Sequence, residues 1–91
     1  SSVDRTGYNI LVLNGTNTNG LAGNFRSDLQ KIGYVNVTID NAESTDKSII
    51  MCKDSKLRDI LKSDTGIGKT SKDISNYPEY DAVIILGEDY N

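Results

Sequence analysis

Tyr8 to Leu13 reads YNILVL, with too few polar positions to leave one face of a strand in water. A small chain accommodates such a run as a central strand covered on both faces or nearly so. A polar knot of Asn, Thr and Gly follows from Asn14 to Gly20, and then Leu21, Ala22, Phe25, Leu29 and Ile32 recur on one helical stripe. Arg26, Asp28, Gln30 and Lys31 fall largely outside that stripe. Asn19 or Gly20 suits the N-cap, and Gly33 suits the left-handed residue that ends the helix. Full burial of Phe25, Leu29 and Ile32 contributes about 1.5 to 3 kcal/mol each, so the stripe is expected to lie on the sheet. The first unit is strand, loop, helix.

Val35, Val37 and Ile39 alternate with Asn36, Thr38 and Asp40, the period of a half-buried second strand. A polar connection, Asn41 to Lys47, leads to Ile49, Ile50, Met51 and Cys52, which read as a third strand running back beside the second in a long-looped hairpin. Ser55 to Ser63 carries Leu57, Ile60 and Leu61 at helical spacing, a short second helix stopped by Gly66 and Gly68. Lys69 to Tyr80 contains the sole proline, Pro78, and reads as mostly irregular with room for one short edge strand. Asp81 to Leu86 is the last strand. The expected fold is an α/β (α+β) two-layer sandwich: a mixed sheet of four to five strands, order β-α-β-β-α-(β)-β, with two helices on one face.

At 91 residues this is one domain, expected to span 1–91 and to be excised from a longer protein, since it opens on Ser1. No charged-then-apolar leader and no apolar run near about 18 residues is present in this piece, so no direct membrane insertion by it is expected. The net charge of −3, with 10 basic residues scattered among 13 acidic ones, argues against nucleic acid and anionic lipid as partners. With no His and one Cys, the chain lacks a Ser-His-Asp triad, a Cys-His pair and the usual structural zinc sets. The expectation is no enzyme, no metal and no cofactor.

Two glycine patterns test that expectation. Gly15 and Gly20 have the spacing of the outer glycines of a phosphate loop, but Leu21 and Ala22 stand where the lysine and the magnesium-binding hydroxyl belong. SDTGIGKT, Ser63 to Thr70, ends in Gly-Lys-Thr but has Ser63 for the first glycine and follows a helix rather than a strand. Neither makes a nucleotide site. What remains is a set of neutral donors and acceptors at Thr16, Asn17, Thr18 and Asn19, flanked by Asn14 and Asn24. Amides and hydroxyls of this kind suit hydroxyl-rich ligands, and they equally suit a turn.

VLNGTNTNGLAGNFRSDLQKIGY, residues 12–34, and VIILGEDY, residues 83–90, resemble the two ends of the LytR C-terminal domain, the accessory domain of LytR-CpsA-Psr cell-envelope proteins. The chain departs from the family pattern at DTGIGKTSKDISNYPEY, residues 64–80. The resemblance implies a non-catalytic module of a membrane-anchored bacterial envelope protein, lying outside the cell membrane, whose parent family attaches phosphate-linked glycopolymers to peptidoglycan. It also implies the older label of transcriptional regulator or attenuator. The family's catalytic arginines and aspartates, which bind a polyprenyl pyrophosphate, have no counterpart here. Two functions follow. One is a binding module for peptidoglycan or wall glycan, using Thr16, Asn17, Thr18 and Asn19 with Tyr8, Tyr34 or Tyr90 as stacking surfaces. The other is a protein-interaction or structural module that docks on the parent's catalytic domain or on division partners through an open sheet face or an edge strand.

Overall fold

The computed structural model describes residues 4–90. The apolar run after Tyr8 becomes β1, Asn9–Asn14, inside a five-stranded sheet. Along the chain follow α1 (Leu21–Ile32), β2 (Asn36–Asn41), β3 (Ile49–Cys52), α2 (Ser55–Thr65), β4 (Thr70–Ser71), β5 (Ala82–Leu86) and a closing 3₁₀ turn, Glu88–Tyr90. This is the expected element order, with the optional strand present as a two-residue edge. Of the expected 1–91 span, residues 1–3 and 91 lie outside the described residues.

The strand order is β2-β1-β5-β3-β4. β1 runs parallel to both β2 and β5, β5 runs antiparallel to β3, and β3 runs parallel to β4. The expected β2-β3 hairpin is therefore absent, since β1 and β5 stand between those two strands. The cause lies in patterning. AVIIL of β5 and ILVL of β1 are apolar on both sides and take the central positions, whereas the alternating NVTIDN of β2 wets one face and is stable at an edge.

Both helices lie on one face. Ala22, Phe25 and Leu29 from α1 and Leu57 and Leu61 from α2 pack on Ile10, Val12, Ile50, Cys52, Ala82, Ile84 and Leu86. Ile32, expected in that core, is 40% exposed, because it is the last residue of α1 and extends past the covered part of the sheet. The helices end where the glycines allow it, at Gly33 with φ +133° and at Gly66 with φ +78°, so α2 runs two residues beyond the expected Ser63. The opposite face is partly roofed. Ile74, Tyr77 and Tyr80, from the connection between β4 and β5, pack on Leu11, Leu13 and Val83.

At the C-terminal ends of β1 and β5 the backbone closes into a clasp. Gly15 N–H donates to Leu86 O at 2.9 Å, Thr45 N–H to Gly15 O at 2.9 Å, and Glu88 N–H to Thr45 O at 2.9 Å. A side chain has no room here. A Cβ on Gly87 would stand 2.5 to 2.8 Å from the Lys47 backbone, and one on Gly15 would stand 2.8 Å from Leu86 O. Ser48 completes the clasp. Its hydroxyl donates to Asp89 Oδ1 at 2.7 Å and accepts from Gly87 N–H at 2.8 Å, while Ser48 N–H donates to the same carboxylate oxygen at 2.8 Å.

The opposite end of the sheet is tied by side chains. Arg5 forks onto Asp64 through Nε at 2.9 Å and Nη2 at 3.1 Å, and the Tyr34 hydroxyl donates to Asp64 Oδ2 at 2.7 Å. The guanidinium stands 5.9 Å from the Tyr34 ring centroid. Burial, followed by the bond to Asp64, raises the Tyr34 phenol above its ordinary pKa of 10.0.

Gly87→Ala overpacks the clasp and should cost about 1 to 3 kcal/mol in urea unfolding, while Gly7→Ala, whose Cβ would meet nothing within 4 Å, should not suffer this cost. The Tyr34 phenol keeps its proton to higher pH in the folded chain than in the unfolded one. Its stability contribution is thus complete below pH 10 and is lost as pH rises through the raised folded value. Tyr34→Phe should lose about 1 kcal/mol at neutral pH through the missing hydrogen bond, and its stability should decline less steeply above pH 10 in parallel denaturation series.

Candidate functional site

The loop between β1 and α1 leaves the sheet at the C-terminal ends of three parallel strands, the side on which sheets of this type hold ligands. Asn14 organises it from within. This buried side chain accepts from Thr16 N–H at 3.0 Å and from Thr16 Oγ1 at 2.6 Å, and its Nδ2 donates to Thr18 O at 2.9 Å. Thr18 N–H in turn donates to Thr16 Oγ1 at 3.1 Å. Among the described residues, no buried side-chain polar atom lacks a partner. The turn reading and the ligand reading thus divide by residue: Asn14, Thr16 and the Thr18 backbone build the turn, and Asn17 and Asn19 are exposed.

All four candidate residues lie on this loop but differ in exposure. Asn17 and Asn19 are exposed, whereas Thr16 and Thr18 are half-buried. Asn17 N–H donates to Glu88 Oε1 at 3.0 Å, which ties the crest of the loop to the closing 3₁₀ turn. Its side-chain Oδ1 is 3.5 Å from Ser44 Oγ, at the limit of a hydrogen bond. Of the two N-cap candidates, the structure selects Gly20, at φ +82°, with no side-chain cap bond. Asn19 is released from that duty. Beside the loop a recess of about 250 Å³ is lined by Asn14, Gly20, Ala22, Gly23, Ile39, Asp40 and Asn41.

The three tyrosines separate. Tyr34 is fully buried and bonded to Asp64, so it offers no stacking surface. Tyr8 precedes β1, at the other end of the strand from the loop, and lines a different recess with Tyr80. Tyr90 is 37% exposed and packs edge-on against Phe25, ring centroids 5.1 Å apart, in the same 3₁₀ turn that bonds the loop. Its phenol is raised by burial and then by the charge of Asp28.

The sequence reading missed Ser48 and Asp89, which meet across 41 positions. Bonds from the Ser48 side chain and then its backbone hold the Asp89 carboxyl below the usual carboxylate range. A signal was present in Gly87: a glycine directly after a buried strand marks a close backbone approach. Cys52 is buried, its Sγ is 3.3 Å from Asp54 O, and burial pushes its thiol up, which makes it a packing residue. Among the described residues, no group of three or more His, Cys, Asp or Glu side chains is placed to hold a metal ion.

GTNTNGLAG and LGEDY, far apart in the chain, thus converge on one end of the sheet. No curated protein and no solved structure matches the chain significantly. A family model described as the LytR cell envelope-related transcriptional attenuator matches residues 7–90, nearly the whole chain. No described helix is long and apolar enough to cross a membrane, and the family sets the domain in a cell-envelope context. The chain belongs to this LytR C-terminal family, an accessory, non-catalytic domain of LytR-CpsA-Psr proteins.

Proposed function

We propose that the domain works outside the cell membrane as a wall-binding module, holding peptidoglycan or wall glycopolymer through the loop of Thr16, Asn17, Thr18 and Asn19. The observation that carries this reading is the division of labour in the loop. Asn14 satisfies the interior bonds and Asn17 and Asn19 are exposed, while a recess opens at the two ends of the loop, where Asn14 and Gly20 line it. An amide that donates and accepts at once matches a sugar hydroxyl. The loop is held before any ligand arrives, so little ordering entropy opposes binding. DNA is not part of this reading. α1 and α2 are separated in the chain by β2 and β3 and form no helix-turn-helix, and the net charge is −3.

The docking alternative keeps one specific support, the six-residue outer edge of β2. Its sheet-face version has less to recommend it, because Ile74, Tyr77 and Tyr80 already pack on that face.

Each neutral contact contributes about 0.5 to 1.5 kcal/mol, so one saccharide unit is held weakly and a polymer is held by repetition. Asn17→Ala combined with Asn19→Ala should reduce co-sedimentation with purified cell-wall sacculi about ten-fold while the thermal midpoint stays unchanged. With no cation between Asn9 and Phe25, the parent's binding to that loop should respond only weakly to salt. Equal sedimentation of the folded double variant and the parent would exclude the loop.

A further inference from the structure

On the sheet face away from the helices, between the connection after β2 and the strands β3 and β5, lies a further recess of about 400 Å³. Ile49 and Ile85 line it as directly opposed neighbours of the antiparallel ladder, with Ala42 beside them. Lys47 and Lys69 stand on its rim. Lys69 belongs to the Gly-Lys-Thr sequence, which here follows a helix and leads into the short edge strand β4.

Among the described residues, neither lysine ammonium is in an ion pair; the salt bridge of the domain is Arg5 with Asp64. Glu43 is the acid on the same rim, and Asp89, whose carboxyl the Ser48 bonds and then the Lys47 charge hold down, shares a neighbouring recess with both lysines. Both lysines project from fixed backbone. Lys69 O accepts from Ile50 N–H at 3.0 Å, and Lys47 is pressed against Gly87 and precedes the Ser48 that Asp89 holds. Two cationic point charges above an aliphatic floor match a carboxylate carried on a short aliphatic stem. A phosphate would gain less: the recess has no helix N-terminus to offer it backbone N–H groups, and a phosphate has no apolar stem to lay on the floor. An aliphatic floor also gives nothing to a polyol phosphate.

We propose that this recess binds the free carboxylate end of a short peptide with small aliphatic side chains. The inference rests on the wall-binding reading and deepens it, because peptidoglycan carries both sugar and peptide. The two sites share one connection: Ser44 lines this recess, and its hydroxyl is the group 3.5 Å from Asn17 Oδ1. Sugar on the amide loop and peptide carboxylate on the lysines make a two-part site for a peptide-bearing glycan.

The test is an NMR titration of the whole labelled chain with N-acetyl-alanyl-alanine as the free acid, with its C-terminal amide, and with inorganic phosphate. The acid should move the Ile49 and Ile85 methyl resonances with millimolar saturation, and the amide should bind about ten-fold more weakly. Lys47→Gln and Lys69→Gln, both at exposed positions, should each weaken the acid several-fold with the thermal midpoint unchanged. Added salt should weaken it as well. Equal binding of acid and amide, no movement at Ile49 and Ile85, or tighter saturation by phosphate than by the acid each overturns the proposal; the last result assigns the lysines to a polymer phosphate. The outcome is separable from the sacculus assay. Sacculus binding without peptide titration removes the recess alone, and peptide titration without sacculus binding removes the wall-binding reading and leaves the recess.

Discussion

Direct backbone-to-backbone contact at the top of the sheet is the constraint on which the remaining architecture rests. Gly87 lies so close to Lys47, and Gly15 so close to Leu86, that neither position has space for a Cβ. The close approach carries the connection after β2 across the ends of β1 and β5, so that β3 can enter on the far side of β5. It also orders the 3₁₀ turn that holds Glu88 under Asn17 and places the Tyr90 ring on Phe25. A methyl group in the clasp therefore disturbs strand order, loop and C-terminal turn together.

The clasp fills the ground where a doubly wound sheet would open a crevice for a ligand. What the domain presents instead is the outer surface of the closure. Asn14 spends its donors and acceptors on the loop itself, which leaves the neighbouring amides outward-facing without any buried polar group unsatisfied. On the other side of the same connection, Lys47 and Lys69 border an aliphatic recess. Neutral hydrogen bonding and charge thus occupy adjacent but separate surfaces, both carried by backbone that is rigid before binding. This suits a module that engages a repetitive polymer through many weak contacts.

The local elements were legible because each depends on short-range pattern. The apolar period of Ala22, Phe25 and Leu29, the alternation through Val37 and Ile39, and the apolar run of β5 read correctly as helix, half-wet strand and buried strand; Val35, expected in the same alternation, lies before β2 and is 57% exposed. The misreadings share a different cause. Ile32 continues the helical stripe, but where the sheet stops beneath it depends on parts of the chain distant in sequence. Tyr34 looked like an accessible ring until Arg5, before it in the chain, and Asp64, 30 positions after it, closed around it. The segment 64–80 carries little periodicity, and its role as a roof over Leu11 and Val83 requires knowing which face is left open.

The candidate site divides in the same way. An Asn and Thr loop between a strand and a helix was visible in the sequence, and so was the family to which its flanking motifs belong. Which amides face outward was not, because it depends on the rotamer of Asn14 and on a carboxylate 71 positions beyond Asn17. The lysine recess was equally hidden, since Lys47 and Lys69 come together through the parallel pairing of β3 with β4. The amino-acid order alone determined the two helices, the apolar strands and the loop between β1 and α1, since periodicity and backbone preference act over a few residues. Only the tertiary structure decided the strand order, the buried fate of Tyr34 and the meeting of the two lysines, because those follow from which apolar faces cover one another once the chain is closed.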